Sequence, residues 1–513
     1  MLSGCLYHRL ESVLPPLIPK GNSQMVCMTK EDMLYSSEIG DQDFSRLEFL
    51  SACVIMKDEY TAHHLLPRVP HSFYPALFQA VMQKCYYSRM DDLEKKRAAM
   101  PLLRALTINW PFESMTLRDL VPPLPSPTTK PQRIILRSSE EKLMKFLEAL
   151  QTIPETFIQS KSAMAVEFKG PLCKLDITGF SLPISNVHLL ERFVRMAYNP
   201  NSPPHYIRNE IRMDIRIEGE AESQFQALHV VCTISRHHGA GLVVKFRKVN
   251  ITSIPGICLV SLPKETECLE LELCGLCNNS LLPLLCIPKS LTSLSLAHNR
   301  NITSLQFLSQ LPCLCELNIS GINVRDKCEP IGSLPQGLQY LKLVGCRVRS
   351  ADLQVLITSK HVLTLRHLDL SENPLGGPED FYSLCKLCQK LQKVSVLEVE
   401  NCNLNTVIPE LLTQLINILT QMPTLAFLRL NRNDFSSWSI TKHIVCLGYS
   451  RTMRCLCMTV PSEVYISDDY TVIDKRIKKL CTDFLSSLQA MNATHVAVEW
   501  IEESLYSRWF YTI

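Results

Sequence analysis

Two Cys-x-x-Cys pairs are the residues in this sequence whose type and spacing first suggest chemistry. They are Cys274/Cys277 and Cys385/Cys388, and two such pairs at finger-like spacing would hold zinc. Neither pair has a second Cys or His pair at that spacing. Cys274 also falls in a slot of a sequence repeat, and the other pair falls on one apolar helix. We therefore expect reduced, buried thiols, no bound metal and no cofactor.

Catalytic motifs are the next candidates, and the sequence contains none of the common ones. There is no G-x-S-x-G elbow, P-loop, H-E-x-x-H or G-x-G-x-x-G. The pairs His63-His64 and His237-His238 stand without a partner motif, so surface histidines explain them better than a catalytic base. The sequence predicts a protein that is not an enzyme.

The elements that organise the chain are repeats. Residues 365–375 (LRHLDLSENPL) fit L-x-x-L-x-L-x-x-N-x-L, the signature of one leucine-rich repeat. Six further segments fit it with Cys, Ile or Asn in the slot that follows the strand. The first slots fall at residues 266, 291, 314, 338, 365, 394 and 425, so successive repeats begin 23 to 31 residues apart. Matches that recur in phase are strong evidence for a repeat architecture.

The L-x-L core of each repeat has a period of two, so both leucines lie on one side of a short strand. Stacked copies bury these leucines in a parallel sheet. The Asn or Cys slot turns inward, where Asn can hydrogen-bond backbone groups that the turn leaves unpaired. The longer, later periods leave room for a helix. The predicted fold is an α/β leucine-rich-repeat horseshoe solenoid with a helical N-terminal cap and a helix–strand C-terminal cap.

Composition shifts predict six segments along the chain. Residues 1–45 are predicted to be a poorly ordered extension, 46–121 a helical N-terminal cap, and 122–131 a proline-rich loop. Residues 132–265 are predicted to form degenerate repeats, because Ile211, Met213, Ile215 and Ile217 alternate with polar residues. Residues 266–450 are the regular repeats. The C-terminal cap is predicted at 451–513.

Charge and hydropathy restrict the partners. A net charge of +3 is too small to imply nucleic-acid or membrane binding, and no window is long and apolar enough for a transmembrane helix. Residues 1–20 are broken by charged residues and prolines, which is unlike a signal peptide. With 22 cysteines but no compact cysteine framework, the chain is expected inside the cell, and its composition does not distinguish the cytoplasm from the nucleus.

The outward slots of the L-x-L strands are the candidate binding surface. Across the seven repeats they carry six acids and two bases. The residues are Glu270, Glu272, Glu316, Lys342, Asp369, Glu398, Glu400 and Arg429. We hypothesise that this acidic concave face attracts a basic segment of a partner protein. The alternative is that these polar slots are simply solvated.

Several short segments outside the repeats resemble the PRAME family of leucine-rich-repeat proteins and its widely expressed relatives. They are residues 65–68 (LLPR), 75–78 (PALF), 103–106 (LRAL), 110–112 (WPF), 174–179 (KLDITG) and 460–465 (VPSEVY). The resemblance runs from about Leu47 nearly to the last residue.

The resemblance implies a non-catalytic adaptor: the substrate-recognition subunit of a Cullin-two-type ubiquitin ligase. An N-terminal helix, the BC box, would bind elongin B/C while the horseshoe holds the substrate. Ala76, Leu77, Ala80 and Val81 match that box, with Val81 where the family pattern has Cys or another small residue. The alternative is a repeat scaffold that inhibits a signalling or transcription factor without ligase activity. An adaptor must leave Leu77 reachable, whereas a scaffold can bury it.

Overall fold

The structure is a computed structural model. It describes residues 51–52, 55–56, 59–74, 76–78, 80–81, 92–111, 113–116, 153–159, 172–178, 187–201, 209–218, 222–254, 265–281, 290–467, 469–493, 495–501 and 508–511. The predicted extension 1–45 and proline-rich loop 122–131 lie outside these residues. The described chain divides into two compact units, with breaks after Asn250 and after Thr266.

The first unit combines helices with four strands. Its helices are α1 (Glu59–Leu65), α2 (Asp92–Ile108), α3 (Val187–Met196) and α4 (Glu222–Ser235), and its strands are β1 (Ser114–Thr116), β2 (Lys174–Asp176), β3 (Asn209–Glu218) and β4 (Leu242–Thr252). The strands follow one another in sheet order. The alternation predicted for β3 is confirmed, since Ile211, Met213, Ile215 and Ile217 are all buried.

The second unit contains the seven regular repeats, each of which contributes one strand, and three further strands follow them. The strands are β5 (Cys268–Glu272), β6 (Ser293–Ser295), β7 (Glu316–Asn318), β8 (Tyr340–Lys342), β9 (His367–Asp369), β10 (Val396–Glu398), β11 (Phe427–Arg429), β12 (Cys455–Thr459), β13 (Ala497–Ile501) and β14 (Arg508–Tyr511). Strands β5 to β13 pair in parallel and in chain order, and β14 pairs antiparallel with β13.

The leucines predicted to face the core do so. Leu269, Leu317, Leu341, Leu368 and Leu428 pair across successive strands and have no exposed surface. A single strand of three residues buries little by itself, so stacking provides most of the stabilisation of each repeat.

The inward slots close the turn after each strand. Asn373 Nδ2 donates to the carbonyl oxygens of Leu343 and Leu370, each at 2.8 Å, and its Oδ1 accepts from the Val348 N–H at 2.9 Å. Asn299 and Asn433 bond in the same way. The predicted bonds from the inward Asn to backbone groups are confirmed, and the structure adds that each side chain links two neighbouring repeats.

Cysteines occupy further inward slots and make weaker hydrogen bonds there. The Sγ atoms of Cys346 and Cys402 donate to the carbonyl oxygens of Ile319 and Leu370 at 3.2 and 3.3 Å. Burial raises the pKa of each thiol to about 12, so both stay protonated donors.

The helices of the second unit are α5 (Glu329–Gly332), α6 (Ser350–Thr358), α7 (Pro378–Lys390), α8 (Pro409–Gln421), α9 (Ser437–Lys442) and α10 (Tyr470–Ala490). They lengthen from α5 to α7, and the last helix, α10, is the longest of those described. A carboxylate of the following repeat caps two of them: Asp380 Oδ1 accepts from the Ser350 N–H at 2.7 Å, and Glu463 Oε1 accepts from the Ser437 N–H at 2.6 Å. None of the helices in the described chain has the length and apolarity needed to cross a bilayer.

Candidate interaction surface

The side chains that alternate with the buried leucines of β5–β13 form the open face of the sheet. The register aligns them across the strands, and the middle row contains Glu270, Ser295, Asn318, Lys342, Asp369, Glu398, Arg429, Cys457 and Glu499. Each of the nine strands β5–β13 therefore contributes one polar side chain to this row.

Part of this face neutralises itself through ion pairs. Asp369 pairs with Lys342 at 3.1 Å, and Glu398 contacts both His367 Nε2 at 2.8 Å and Arg429 Nη1 at 3.0 Å. Asp369 and Glu398 are only 2% and 4% exposed. These two predicted acids are thus bound within the protein itself.

The environment of Glu398 strongly favours its charged form. Burial by itself would raise its pKa, but the hydrogen bond from His367 and the positive charges around it outweigh burial and lower the pKa well below the usual range. Burial likewise opposes the charge of Arg429, yet the carboxylate of Glu398 and the acidic groups nearby raise its pKa further. The pair therefore persists at neutral pH.

Glu400 is the next outward residue after Glu398, and its surroundings are different. Its Oε1 accepts from Asn431 Nδ2 at 2.7 Å, and no lysine or arginine nitrogen of the described chain lies within 4.0 Å of its carboxylate. Burial raises the pKa of Glu400 despite that hydrogen bond. Its charged form is therefore incompletely compensated.

The first three strands of the open face carry the remaining predicted acids. Glu270, Glu272 and Glu316 are half-buried, and the outward positions of β5–β7 include no lysine or arginine. The Ser295 hydroxyl donates to Glu272 Oε1 at 3.1 Å. These three strands thus carry acids and no outward lysine or arginine, whereas Lys342 and Arg429 lie beside the acids of β9 and β10.

Sequence analysis missed the contribution of β12 and β13. Cys457 Sγ donates to Glu499 Oε2 at 3.1 Å, and Cys455 Sγ lies 3.8 Å from Cys457 Sγ. The available sequence signal was that apolar residues alternate with Cys455, Cys457 and Glu499, although these strands lack the full repeat signature. His367 and Asn431 occupy outward slots but were not named as site residues.

The four elongin-binding candidates lie in the first unit, in a buried helical segment. Ala76, Leu77, Ala80 and Val81 are between 0% and 4% exposed. The neighbouring Tyr74 donates its hydroxyl to the Asn109 carbonyl oxygen at 2.6 Å, and its ring meets Trp110 edge-on at 5.2 Å. Burial raises the pKa of Tyr74 to about 12. This segment thus packs with the end of α2.

The two Cys-x-x-Cys pairs, Cys274/Cys277 and Cys385/Cys388, lie in different surroundings. Cys385 and Cys388 are buried in α7, and burial raises the pKa of Cys385 to about 11. Cys274 donates to the Ile251 carbonyl oxygen at 3.4 Å. Throughout the residues that the structure describes, no group of three or more His, Cys, Asp and Glu side chains could hold a metal ion.

The one-strand-per-repeat parallel sheet and its inward Asn and Cys slots define a leucine-rich-repeat protein. No known family model and no curated protein matches the chain. Among solved structures, it is similar to the leucine-rich repeat-containing protein LegL7 from Legionella pneumophila. The two share 16% sequence identity with a TM-score of 0.31, and the match covers 63% of this chain and 94% of that chain.

Proposed function

We propose that the protein is a non-catalytic repeat protein whose open face binds a segment of a partner protein. The observation that carries this proposal is the line of polar and charged side chains that nine strands contribute to one surface. Such a surface is assembled from residues far apart in sequence, and repeat proteins use surfaces of this kind to bind extended partners.

The charge of the open face supports a basic partner segment. Its outward positions on β5–β13 carry two basic residues, Lys342 and Arg429, against a larger set of acids. The acids are Glu270, Glu272, Glu316, Asp369, Glu398, Glu400 and Glu499. Complementary charge accelerates association and selects against acidic partners.

A triple variant tests the proposal while it leaves the ion pairs of Asp369 and Glu398 in place. Glu270→Gln, Glu272→Gln and Glu316→Gln remove three charges from β5–β7. A matched control removes three exposed charges from the helices α5, α7 and α8: Glu329→Gln, Glu379→Gln and Glu410→Gln. Quantitative affinity capture from cells should lose a salt-sensitive set of bound proteins with the first variant only. Equal capture by both variants and the intact chain would overturn the proposal.

The resemblance to the PRAME family supports a more specific proposal. In it the protein is the substrate-recognition subunit of a Cullin-two-type ubiquitin ligase and binds elongin B/C through the segment that contains Ala76, Leu77, Ala80 and Val81. The burial of all four side chains favours the alternative, a scaffold that acts without a ligase, unless this segment opens on binding.

Hydrogen exchange separates the adaptor from the scaffold. Replacing Leu77 is unsuitable, because removing a side chain with no exposed surface opens a cavity and destabilises the unit. Purified full-length protein is instead mixed with purified elongin B/C. The adaptor proposal requires co-elution and altered amide exchange at residues 76–81. If no complex forms at micromolar concentrations, the adaptor proposal is wrong and the scaffold alternative stands.

A further inference from the structure

Two neighbouring polar groups on the open face have hydrogen-bonding capacity that the protein leaves unused. Asn431 is 4% exposed, and its Oδ1 has no hydrogen-bond partner. A buried acceptor without a donor costs about 1–3 kcal/mol, so a donor that reaches it is strongly favoured. The other amide atom, Nδ2, is held by Glu400 Oε1.

Glu400 supplies the second unused acceptor. Asn431 occupies its Oε1, while its Oε2 accepts no hydrogen bond from a described residue, and the side chain is only half-buried. Glu398, two residues earlier, has one oxygen bonded to His367 and the other to Arg429. Glu398 therefore has Arg429 as an internal partner, whereas Glu400 has no lysine or arginine partner among the described residues.

The two side chains follow the adjacent strands β10 and β11 and are joined by the 2.7 Å bond from Asn431 Nδ2 to Glu400 Oε1, so one donor group with two N–H bonds suits the pair. A guanidinium presents several N–H groups in a fixed fork, whereas an ammonium is a compact point charge. For one fork to bind both acceptors, the buried Asn431 amide must rotate to present its Oδ1, and side-chain rearrangements are common on binding.

We propose that Glu400 and Asn431 form an arginine-recognition site, in which a partner's guanidinium binds the Glu400 carboxylate and donates to the Asn431 carbonyl oxygen. The inference rests on the proposed function, since it names the residue that anchors the basic segment on the open face. The raised pKa of Glu400 agrees with it, because sites that await a charged ligand keep a poorly compensated group.

Peptide probes test the site directly. The probes are fluorescent octapeptides of alternating Gly and Arg, the same peptide with Lys, and the same peptide with citrulline, which keeps the shape of arginine without its charge. Fluorescence anisotropy with the full-length protein at low salt should rank affinity as arginine, then lysine, then citrulline.

Three variants assign the preference to residues. Glu400→Gln should weaken binding of the arginine peptide about tenfold or more, because a hydrogen bond to a charged group is lost. Asn431→Ala should bring the arginine peptide down to the affinity of the lysine peptide. Glu379→Gln removes an equal charge from α7 and should change neither affinity. Thermal unfolding of each variant confirms that the fold is kept.

Two results would overturn the inference. One is equal binding of the citrulline and arginine peptides by the intact chain, and the other is unchanged arginine-peptide affinity in Glu400→Gln. If cellular capture is still lost in the Glu270, Glu272 and Glu316 variant, the proposed function stands and only the arginine site fails.

Discussion

At the scale of single residues, Glu398 and Glu400 are two acids with opposite energetic roles. Glu398 is paired with His367 and Arg429, while Glu400 is bonded only by Asn431. We predict that Glu398→Gln lowers the free energy of unfolding by about 1.5–3 kcal/mol at pH 7, since it leaves Arg429 without its main counter-charge. Glu400→Gln should leave stability equal or higher. Urea unfolding of both variants checks the opposite signs.

The same two residues predict opposite pH dependence. The folded-state pKa of Glu398 is lowered, so its stabilisation is present above the unfolded carboxyl pKa of about 4.3 and is lost as the pH falls through the folded value. The pKa of Glu400 is raised, so its contribution is present at low pH and is lost as the pH rises through the folded value. The stability difference between Glu400→Gln and the intact chain should therefore vanish in acid, and a difference that grows there would contradict the assignment.

The charges were predictable from the sequence, but their pairing was not. The L-x-L pattern placed Lys342, Asp369, Glu398 and Arg429 on one face because strand side chains alternate. Which acid meets which base depends on the lateral register and on side-chain reach between strands that are about 30 residues apart. Sequence analysis therefore counted six equivalent acids where the structure has paired, bonded and half-buried ones.

At the scale of elements, the inward slots test how repeats are joined. Asn373→Ala removes bonds to Leu343, Leu370 and Val348 and leaves buried backbone groups unpaired, so we predict a loss of about 2–3 kcal/mol. Asn373→Cys should lose less, because cysteines already fill equivalent slots at Cys346 and Cys402. Chemical denaturation should rank the intact chain above the Cys variant and the Cys variant above the Ala variant. An Ala variant as stable as the Cys variant would show that the slot bonds contribute little.

The cap that Asp380 provides to α6 is a second bond between elements. Its carboxylate accepts from the Ser350 N–H and pairs with Arg349 at 2.8 Å. Asp380→Ala should destabilise the unit by about 1–2 kcal/mol, as loss of an N-cap does, and should raise amide exchange at the start of α6. Asp380→Asn keeps the acceptor oxygen and serves as the control, with a smaller effect.

The sequence predicted the helices of these repeats from their periods but not the bonds between them. The long later periods predict room for a helix between strands, and α8 is found there at Pro409–Gln421. Both helix starts have local capping residues, Asp352 and Ser436, but the added bonds from Asp380 and Glu463 of the next repeat to Ser350 and Ser437 have no local sequence signal. Short-range patterns define elements, whereas stacking defines their contacts.

At the scale of the whole molecule, a solenoid transmits instability along its axis, because each repeat contacts mainly its neighbours. Near the end of the second unit, Trp500 of β13 has no exposed surface and meets Phe484 of α10 edge-on at 5.7 Å. Trp500→Ala should cost about 3–5 kcal/mol. Amide exchange should rise most in β12 and progressively less towards β9.

Trp500→Phe is the matched control for this prediction. The indole Nε1 is buried without a hydrogen-bond partner, so phenylalanine keeps most of the ring contact and removes an unsatisfied donor. We expect this variant to be about as stable as the intact chain. A uniform rise in exchange across β5–β13 in Trp500→Ala would mean that the unit unfolds as one cooperative block, whereas a graded rise shows that each repeat depends on the next for its buried leucines.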